Sequence, residues 1–344
     1  MKAWIIERHI DLTENQKPLK LIELDMPEIE DNEILIRVIC CGVCHTEIDE
    51  IEGRIKLDHP VVPGHQVVGV VVNKGSKVRR FEIGDMAGAG WIYSACGECE
   101  FCKKGLENLC PDFKATGKDA HGGYAEYFKI KEDFAFKIPE NIDPFEAAPL
   151  FCAGAIGYRS LVLTGISNGE TLGLVGFGAS GHLVLKTVKF LYPETKVLVF
   201  SRTESERKLA IELGAYWTGD IGDEPPVLMN AIIDTTPVWR PPFYSLRYLK
   251  PGGRLVINAI RKEDHDKNFL LELNYPRDLW LEKEIKSVAN VTRKDIEEFL
   301  NIAGKIPIKP EYQIYDFEDA NEAIIDIKNR RIKGAKVLKV SELK

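Results

Sequence analysis

Long apolar runs are missing from this sequence. Nowhere in its 344 residues is there a stretch near the roughly 20 consecutive apolar residues that a membrane-spanning helix needs, which excludes a helical membrane protein. The opening residues, MKAWIIERHIDL, contain no apolar core of the signal-peptide kind before their charges begin, so the expected location is the cytoplasm. An excess of positive charge is missing too. Lys and Arg number 46 against 53 Asp and Glu, leaving a formal charge of −7 and a pI near 5.7. That balance argues against nucleic acid or an anionic membrane surface as the partner. No internal repeat or low-complexity tract is found, so neither a solenoid nor a compositionally disordered region is expected. What remains is an ordinary globular composition, 44% hydrophobic and 29% charged, on a chain long enough for two domains. Cysteine is present eight times. In a reducing compartment, thiols in such number point to metal rather than to disulfides.

The first ninety residues read as short strands, at Met1–Ile6, Leu19–Asp25, Ile34–Cys40 and Val67–Val72, punctuated by Gly and Pro. A small β-barrel is the expected architecture. Two of its turns carry chemistry. Gly42-Val43-Cys44-His45-Thr46 is followed by Gly64-His65-Gln66, and Phe151-Cys152-Ala153-Gly154 stands further on. Cys44, His65 and Cys152 are read as the ligands of one catalytic metal. Two soft thiolates and one imidazole suit zinc, and three protein ligands leave a fourth position open for water or substrate. Cys40 and Cys41 have no matching partner and read as core thiols.

The clearest metal signature is Cys96-Gly97-Glu98-Cys99-Glu100-Phe101-Cys102 with Cys110, a C-x2-C-x2-C-x7-C pattern. Four thiolates this close can enclose a tetrahedral zinc with no open position, a site that gives folding stability rather than chemistry. An iron–sulfur cluster competes on ligand type, but the last spacing fits neither ferredoxin pattern.

A Pro- and acid-rich stretch at 139–149 approaches a domain boundary, and 147–163 reads as helical. A strand at Thr171–Val175 then runs into Gly176-Phe177-Gly178-Ala179-Ser180-Gly181, with a helical pattern from His182 to Leu191. This is G-x-G-x-x-G between strand and helix. The first glycine makes the turn, the second lets backbone approach a pyrophosphate, and the third lets helix pack on strand. The phosphates are expected on the helix N-terminus, over Ala179 and Ser180. The next strand, Lys196–Phe200, ends at Ser201-Arg202-Thr203. A NAD site usually has an acidic residue there for the ribose 2′-hydroxyl. A guanidinium between two hydroxyls suits a 2′-phosphate instead. NADP(H) is therefore favoured over NAD(H). A helix at Glu206–Leu213, strands at Ala231–Asp234, Arg254–Asn258 and Ile285–Ala289, and a Pro251-Gly252-Gly253 turn complete an α/β unit with a parallel sheet. In the tail, Thr292 is placed to cap a helix at Asp295–Ala303. A second amphipathic helix is read at Phe317–Lys328 and a closing strand at Lys336–Val340.

The order GVCHT, GH, four-Cys lobe, FCAG and GFGASG resembles the zinc-dependent alcohol dehydrogenases of the medium-chain dehydrogenase/reductase superfamily, nearly end to end. Pro149–Arg159 and Ser287–Arg293 are most similar to bacterial propanol-preferring-type members. The resemblance implies a GroES-like β-barrel catalytic domain at 1–153, to which 291–344 returns, and a Rossmann domain at 154–290. It implies two zinc ions per chain, one catalytic and one structural. It also implies an alcohol whose pKa is lowered by zinc, and hydride transfer to a nicotinamide. By position, Thr46 takes the alcohol proton and His45 lies near the pyrophosphate. Three departures stand out. Gln66 follows the zinc histidine where the family has Glu, removing a negative charge and making the zinc a stronger Lewis acid. Asp49 replaces the histidine that often ends the proton relay; it either passes a proton to water or is a surface carboxylate. Ile156 replaces a threonine often found four residues after the third ligand. The expected reaction interconverts primary alcohols, aromatic or aliphatic, and aldehydes, in a pocket lined in part by Trp91, Ile92 and Tyr93. A homo-oligomer, tetramer or dimer, joined through edge strands of the Rossmann sheet is implied. The alternatives are a polyol or hydroxyacyl dehydrogenase on the same fold, or a non-catalytic zinc- or NADP(H)-binding protein.

Overall fold

The computed structural model describes residues 1–57, 60–306, 308–329 and 334–342. Two compact units divide the chain, one formed by Met1–Cys152 with Thr292–Lys344, the other by Ala153–Val291.

The first unit is organised around the strand Glu33–Val43. Its sequence, EILIRVICCGV, is apolar nearly throughout, and all but one of its residues are buried. A strand buried on both faces has no polar alternation. It pairs antiparallel with Val67–Lys74, Tyr127–Lys131 and, from the far end of the chain, Ala335–Lys339. Val337 lies opposite Gly42 and Leu338 opposite Cys41, so the tail is a strand of this seven-stranded sheet. The expected end at Cys40 is three residues early, because pairing with the tail carries the strand to Val43. Cys40 and Cys41 are fully buried core thiols, and burial pushes both well above the ordinary thiol range.

The second unit is a six-stranded parallel sheet in the order Trp217–Gly219, Lys196–Phe200, Thr171–Val175, Met229–Asp234, Leu249–Ile257, Glu284–Ser287. In chain order this is 3-2-1-4-5-6, the doubly wound arrangement. Leu161, Val184 and Val188 pack with Leu172 and Val199 in one core cluster. Leu246, Phe243 and Tyr248 pack with Phe200 and Leu255 in another. Strands buried in this way read as continuous apolar runs such as TLGLV.

Three expectations are corrected. Pro251-Gly252-Gly253 is not a turn before a strand; it lies inside Leu249–Ile257, where the register to the neighbouring strand shifts between Met229 and Ala231. Gly252, with φ 71°, supplies the left-handed residue of that irregularity. The helix expected over 147–163 is broken. Pro144–Ala147 and a 3-10 turn at Ala148–Phe151 precede Cys152, whose φ of −120° and ψ of −84° are not helical, and Ala153–Thr164 begins afresh. The tail helix spans Ala320–Lys328, with Phe317–Asp319 as a 3-10 turn before it. Thr292 does cap the helix Arg293–Ala303, through Oγ1 accepting from Asp295 N at 3.2 Å and Asp295 Oδ2 accepting from Thr292 N at 2.7 Å. Among the described residues, no single helix is long and apolar enough to cross a membrane.

Candidate active site and metal centres

The long central strand ends at Val43, and the chain turns at once into the helix His45–Ile51. Cys44 is the N-cap. Its Sγ accepts from Thr46 N at 3.4 Å, while its own N–H donates to Glu47 Oε2 at 2.8 Å, closing a capping box. The other Glu47 oxygen, Oε1, stands 2.9 Å from His65 Nδ1. Both side chains are buried, at 0% and 2% exposure. A carboxylate beside Nδ1 favours a proton on that nitrogen, and a cation at Nε2 would displace any proton there. Nε2 points at Cys44 Sγ, 3.5 Å away. Trp91 packs edge-on against the imidazole, with centroids 5.1 Å apart and planes at 88°. Gly64, at φ 95°, precedes His65; a Cβ there would lie 2.3 Å from the Tyr124 ring, so only glycine lets the chain pass.

Cys152, at the break between helices, completes the cluster. The ligand atoms of Cys44, His65 and Cys152 lie within 4.8 Å of one another. The electrostatics fit a cation. Hydrogen bonding to Cys152, burial and the Glu47 charge push the Cys44 thiol well above its ordinary value. Burial pushes His65 down, but Cys44 and Glu47 outweigh it and hold the imidazole well above the usual range. Two soft sulfurs and one buried nitrogen thus stand together beside the Glu47 carboxylate. A dication of zinc's softness satisfies that donor set.

The four-Cys lobe is equally compact, with Cys96, Cys99, Cys102 and Cys110 within 4.8 Å of one another. No two of the eight cysteines are joined. Backbone N–H groups already point at the sulfurs: Cys99 N at Cys96 Sγ, 3.3 Å, Cys102 N at Cys99 Sγ, 3.5 Å, and Cys96 N at Cys110 Sγ, 3.4 Å. The N–H groups of Glu98 and Cys99 bring the Cys96 thiol down to about 7, whereas burial takes Cys102 up to about 12. Gly97 and Gly105 supply the positive-φ positions that fold the lobe. The donor set is that of a closed tetrahedral site. Sequence reading passed over Glu107 in this lobe. It is buried and accepts from both the backbone N and Nε of Arg293, at 2.9 and 2.7 Å, tying the lobe to the cap of the Arg293–Ala303 helix.

The remaining predicted residues fall as follows. Thr46 is half-buried in the first turn and His45 is exposed beside it. Gln66 is buried and lies over Gly42, where a Cβ would meet its Oε1 at 2.4 Å. Asp49 is not a surface carboxylate: it is 3% exposed and accepts from Arg54 Nε at 2.5 Å. Of the expected pocket residues, Trp91 touches His65, but Ile92 is fully buried and Tyr93 packs edge-on against Phe128. Glu47 and Arg54 were missed in sequence. The Cys-x-x-Glu spacing of a capping box was the available signal for Glu47; nothing local marks Arg54.

In the second unit, Gly176 sits at φ 88° with Thr235 Oγ1 2.6 Å from where its Cβ would be. At Gly181 a Cβ would lie 2.7 Å from Gly176 O. At Gly178 a Cβ would meet nothing within 4 Å. Two glycines are therefore demanded by the protein's own packing. The middle one fronts open space at the start of the Ala179–Leu191 helix, whose N-cap, Gly178, offers no side chain to its first N–H groups. That cradle fits a pyrophosphate. Ser201 follows the neighbouring strand and is buried, whereas Arg202 and Thr203 are exposed.

A doubly wound sheet with a pyrophosphate cradle, and a separate β unit holding a Cys2His donor set, define a zinc- and dinucleotide-dependent oxidoreductase. Known proteins agree. Residues 30–140 match the alcohol dehydrogenase GroES-like domain family. The chain is 38% identical to a probable alcohol dehydrogenase of Mycobacterium tuberculosis (strain CDC 1551 / Oshkosh), over 98% of this chain and 97% of that one. It is 33% identical to an alcohol dehydrogenase of Geobacillus stearothermophilus, over 99% and 100%. A cinnamyl alcohol dehydrogenase structure from Sorghum bicolor superposes with a TM-score of 0.86 at 27% identity, covering 100% of this chain and 98% of that one. The chain belongs to the zinc-dependent alcohol dehydrogenases of the medium-chain dehydrogenase/reductase superfamily. Its reaction is reversible hydride transfer between an alcohol and NAD(P).

Proposed function

We propose that this enzyme interconverts primary alcohols, aromatic or aliphatic, with their aldehydes, using NADP(H) in preference to NAD(H). The observation that carries the site assignment is the convergence of Cys44, His65 and Cys152 within 4.8 Å, with Glu47 behind the imidazole. These three residues would hold the catalytic zinc, and Cys96, Cys99, Cys102 and Cys110 a second, structural one. Bound at the first site, zinc supplies Lewis-acid chemistry, acidifying an alcohol and polarising a carbonyl. The protein's own residues do the rest. Glu47 orients His65, and Gln66, uncharged, adds no negative charge beside it. Thr46 accepts the alcohol proton, and Asp49, three residues on along the same helix, passes it on. Arg54 donates to Asp49 and is itself partly exposed. Gly176, Gly178 and Gly181, with the N–H groups at Ala179 and Ser180, hold the pyrophosphate. Ser201, Arg202 and Thr203 receive the adenosine ribose, and the exposed guanidinium is the support for NADP(H). Likeness to a cinnamyl alcohol dehydrogenase supports aromatic substrates. Eight unpaired thiols support the cytoplasm, and the outermost strand Glu284–Ser287, exposed along its length, supports assembly through a sheet edge into a dimer or tetramer.

The test is reduction of propanal, benzaldehyde and cinnamaldehyde by zinc-loaded enzyme, with NADPH and NADH side by side and a polyol panel in the reverse direction. Turnover of the aldehydes, faster with NADPH, is expected. Activity confined to polyols would overturn the substrate assignment, and faster turnover with NADH would overturn the cofactor preference.

A further inference from the structure

The residue that follows the Lys196–Phe200 strand, Ser201, is met by a carboxylate, Glu206. The strand lies beside the glycine loop, since Gly176 N donates to Phe200 O at 2.9 Å. Ser201 comes next, 7% exposed, its N–H on Gly219 O at 2.9 Å. The Ser201 hydroxyl donates to Glu206 Oε2 and accepts from Thr203 N at 3.3 Å. Glu206 reaches back from the first turn of the helix Glu204–Glu212. The next residue, Arg207, donates to the carbonyls of Ser201 and Arg202 at 2.6 and 3.1 Å.

A hydroxyl has one proton and two acceptor sites. Glu206 takes the proton of Ser201, and Thr203 N takes one acceptor site. What Ser201 has left for a ligand is an acceptor, with a carboxylate beside it. A ribose 2′-hydroxyl, which donates, matches that arrangement. A 2′-phosphate offers only oxygens at neutral pH, finds no donor in Ser201, and is repelled by Glu206. Arg202 pulls the other way. We propose that Glu206 is a specificity-determining residue: by holding Ser201 as an acceptor and adding a negative charge, it disfavours the 2′-phosphate. The enzyme therefore accepts both NAD(H) and NADP(H), with Glu206 limiting the preference that Arg202 creates. The inference rests on the reading of Ser201–Thr203 as the adenosine ribose site.

Two fragments that differ only in the 2′-phosphate, 5′-AMP and 2′,5′-ADP, isolate the effect from hydride chemistry. Their dissociation constants would be measured by calorimetry on the full-length zinc-loaded enzyme, in wild type, Glu206→Gln, Glu206→Ala and Arg202→Ala. Glu206→Gln removes the charge, and Glu206→Ala also releases the Ser201 proton. The expected result is 2′,5′-ADP binding tightened about tenfold in Glu206→Gln and at least as much in Glu206→Ala, with 5′-AMP unchanged or weakened. The kcat/KM ratio of NADPH to NADH would rise in step. If Arg202→Ala weakens 2′,5′-ADP while both Glu206 variants leave the ratio of the two fragments within about twofold of wild type, the inference is wrong and the ribose site stands. If no variant moves either fragment, the ribose site lies elsewhere and both fail.

Discussion

Glu47 does two things with one carboxylate: one oxygen accepts from the N-cap, Cys44, of the helix His45–Ile51, and the other faces His65 Nδ1. Replacing it by Gln keeps the shape but removes the charge behind the imidazole. Zinc affinity and kcat/KM are expected to fall about 10- to 100-fold, the usual cost of losing such a partner. Chelator competition and steady-state kinetics on Glu47→Gln measure this, and wild-type values in both would reject the role given to Glu47. Gln66 gives the converse case. Gln66→Glu returns a negative charge beside the site, so loss of the alcohol proton becomes harder. The kinetic pKa of alcohol oxidation is expected to rise; an unmoved pH profile would remove Gln66 from the account. At this scale the sequence was legible where chemistry constrains residue type. The convergence of Cys44, His65 and Cys152 could be expected because few residue types suit a soft metal. Asp49 could not, because its burial depends on Arg54 and on packing that no local pattern encodes.

Among the elements, the glycine loop separates ligand from fold. Gly178→Ala places a methyl in open space, whereas Gly181→Ala drives one into Gly176 O at 2.7 Å. Gly178→Ala is therefore expected to leave the Tm nearly unchanged while raising the KM for NADP(H) about tenfold. Gly181→Ala should lower the Tm by several degrees, a destabilisation of about 1–3 kcal/mol. Thermal melts and cofactor titrations on both variants check the pair. A normal cofactor KM in Gly178→Ala would mean that the open space is not a phosphate site. The loop was readable because its demands are local and steric. The parallel strands were readable as apolar runs between such turns. The break at Cys152 was not, since helix-forming residues flank it and only Pro149 hints at an interruption. Nor was the bulge at Gly252, which looks like an ordinary turn until the neighbouring strand is in place.

For the whole molecule, the unit that holds both ligand clusters, Cys44–His65–Cys152 and the four-Cys lobe, is assembled from the two ends of the chain. The tail contributes a strand against Glu33–Val43 and the helix that begins at Thr292. Glu107 links that helix to the four-Cys lobe. Burial raises the Glu107 pKa, but Arg293 outweighs burial and holds it below the ordinary carboxylate value. A lowered folded pKa means stability that is present above the unfolded value, near 4.3, and lost as pH falls through the folded one. Glu107→Gln should therefore cost about 2 kcal/mol at pH 7 and progressively less below pH 4, by denaturant melts at each pH. An equal cost at both would mean that the charge does not matter. In the proposed assignment, one set of three ligands makes this chain a dehydrogenase while a second set of four only holds it together. Metal content and aldehyde reduction, measured together on wild type and Cys152→Ser, test it most directly. Two zinc ions per wild-type chain are expected. Cys152→Ser should hold about one, keep a folded four-Cys lobe, and lose turnover by about a thousandfold or more. A variant that still reduces propanal at the wild-type rate, or a fully active wild type that holds a single zinc, would contradict it.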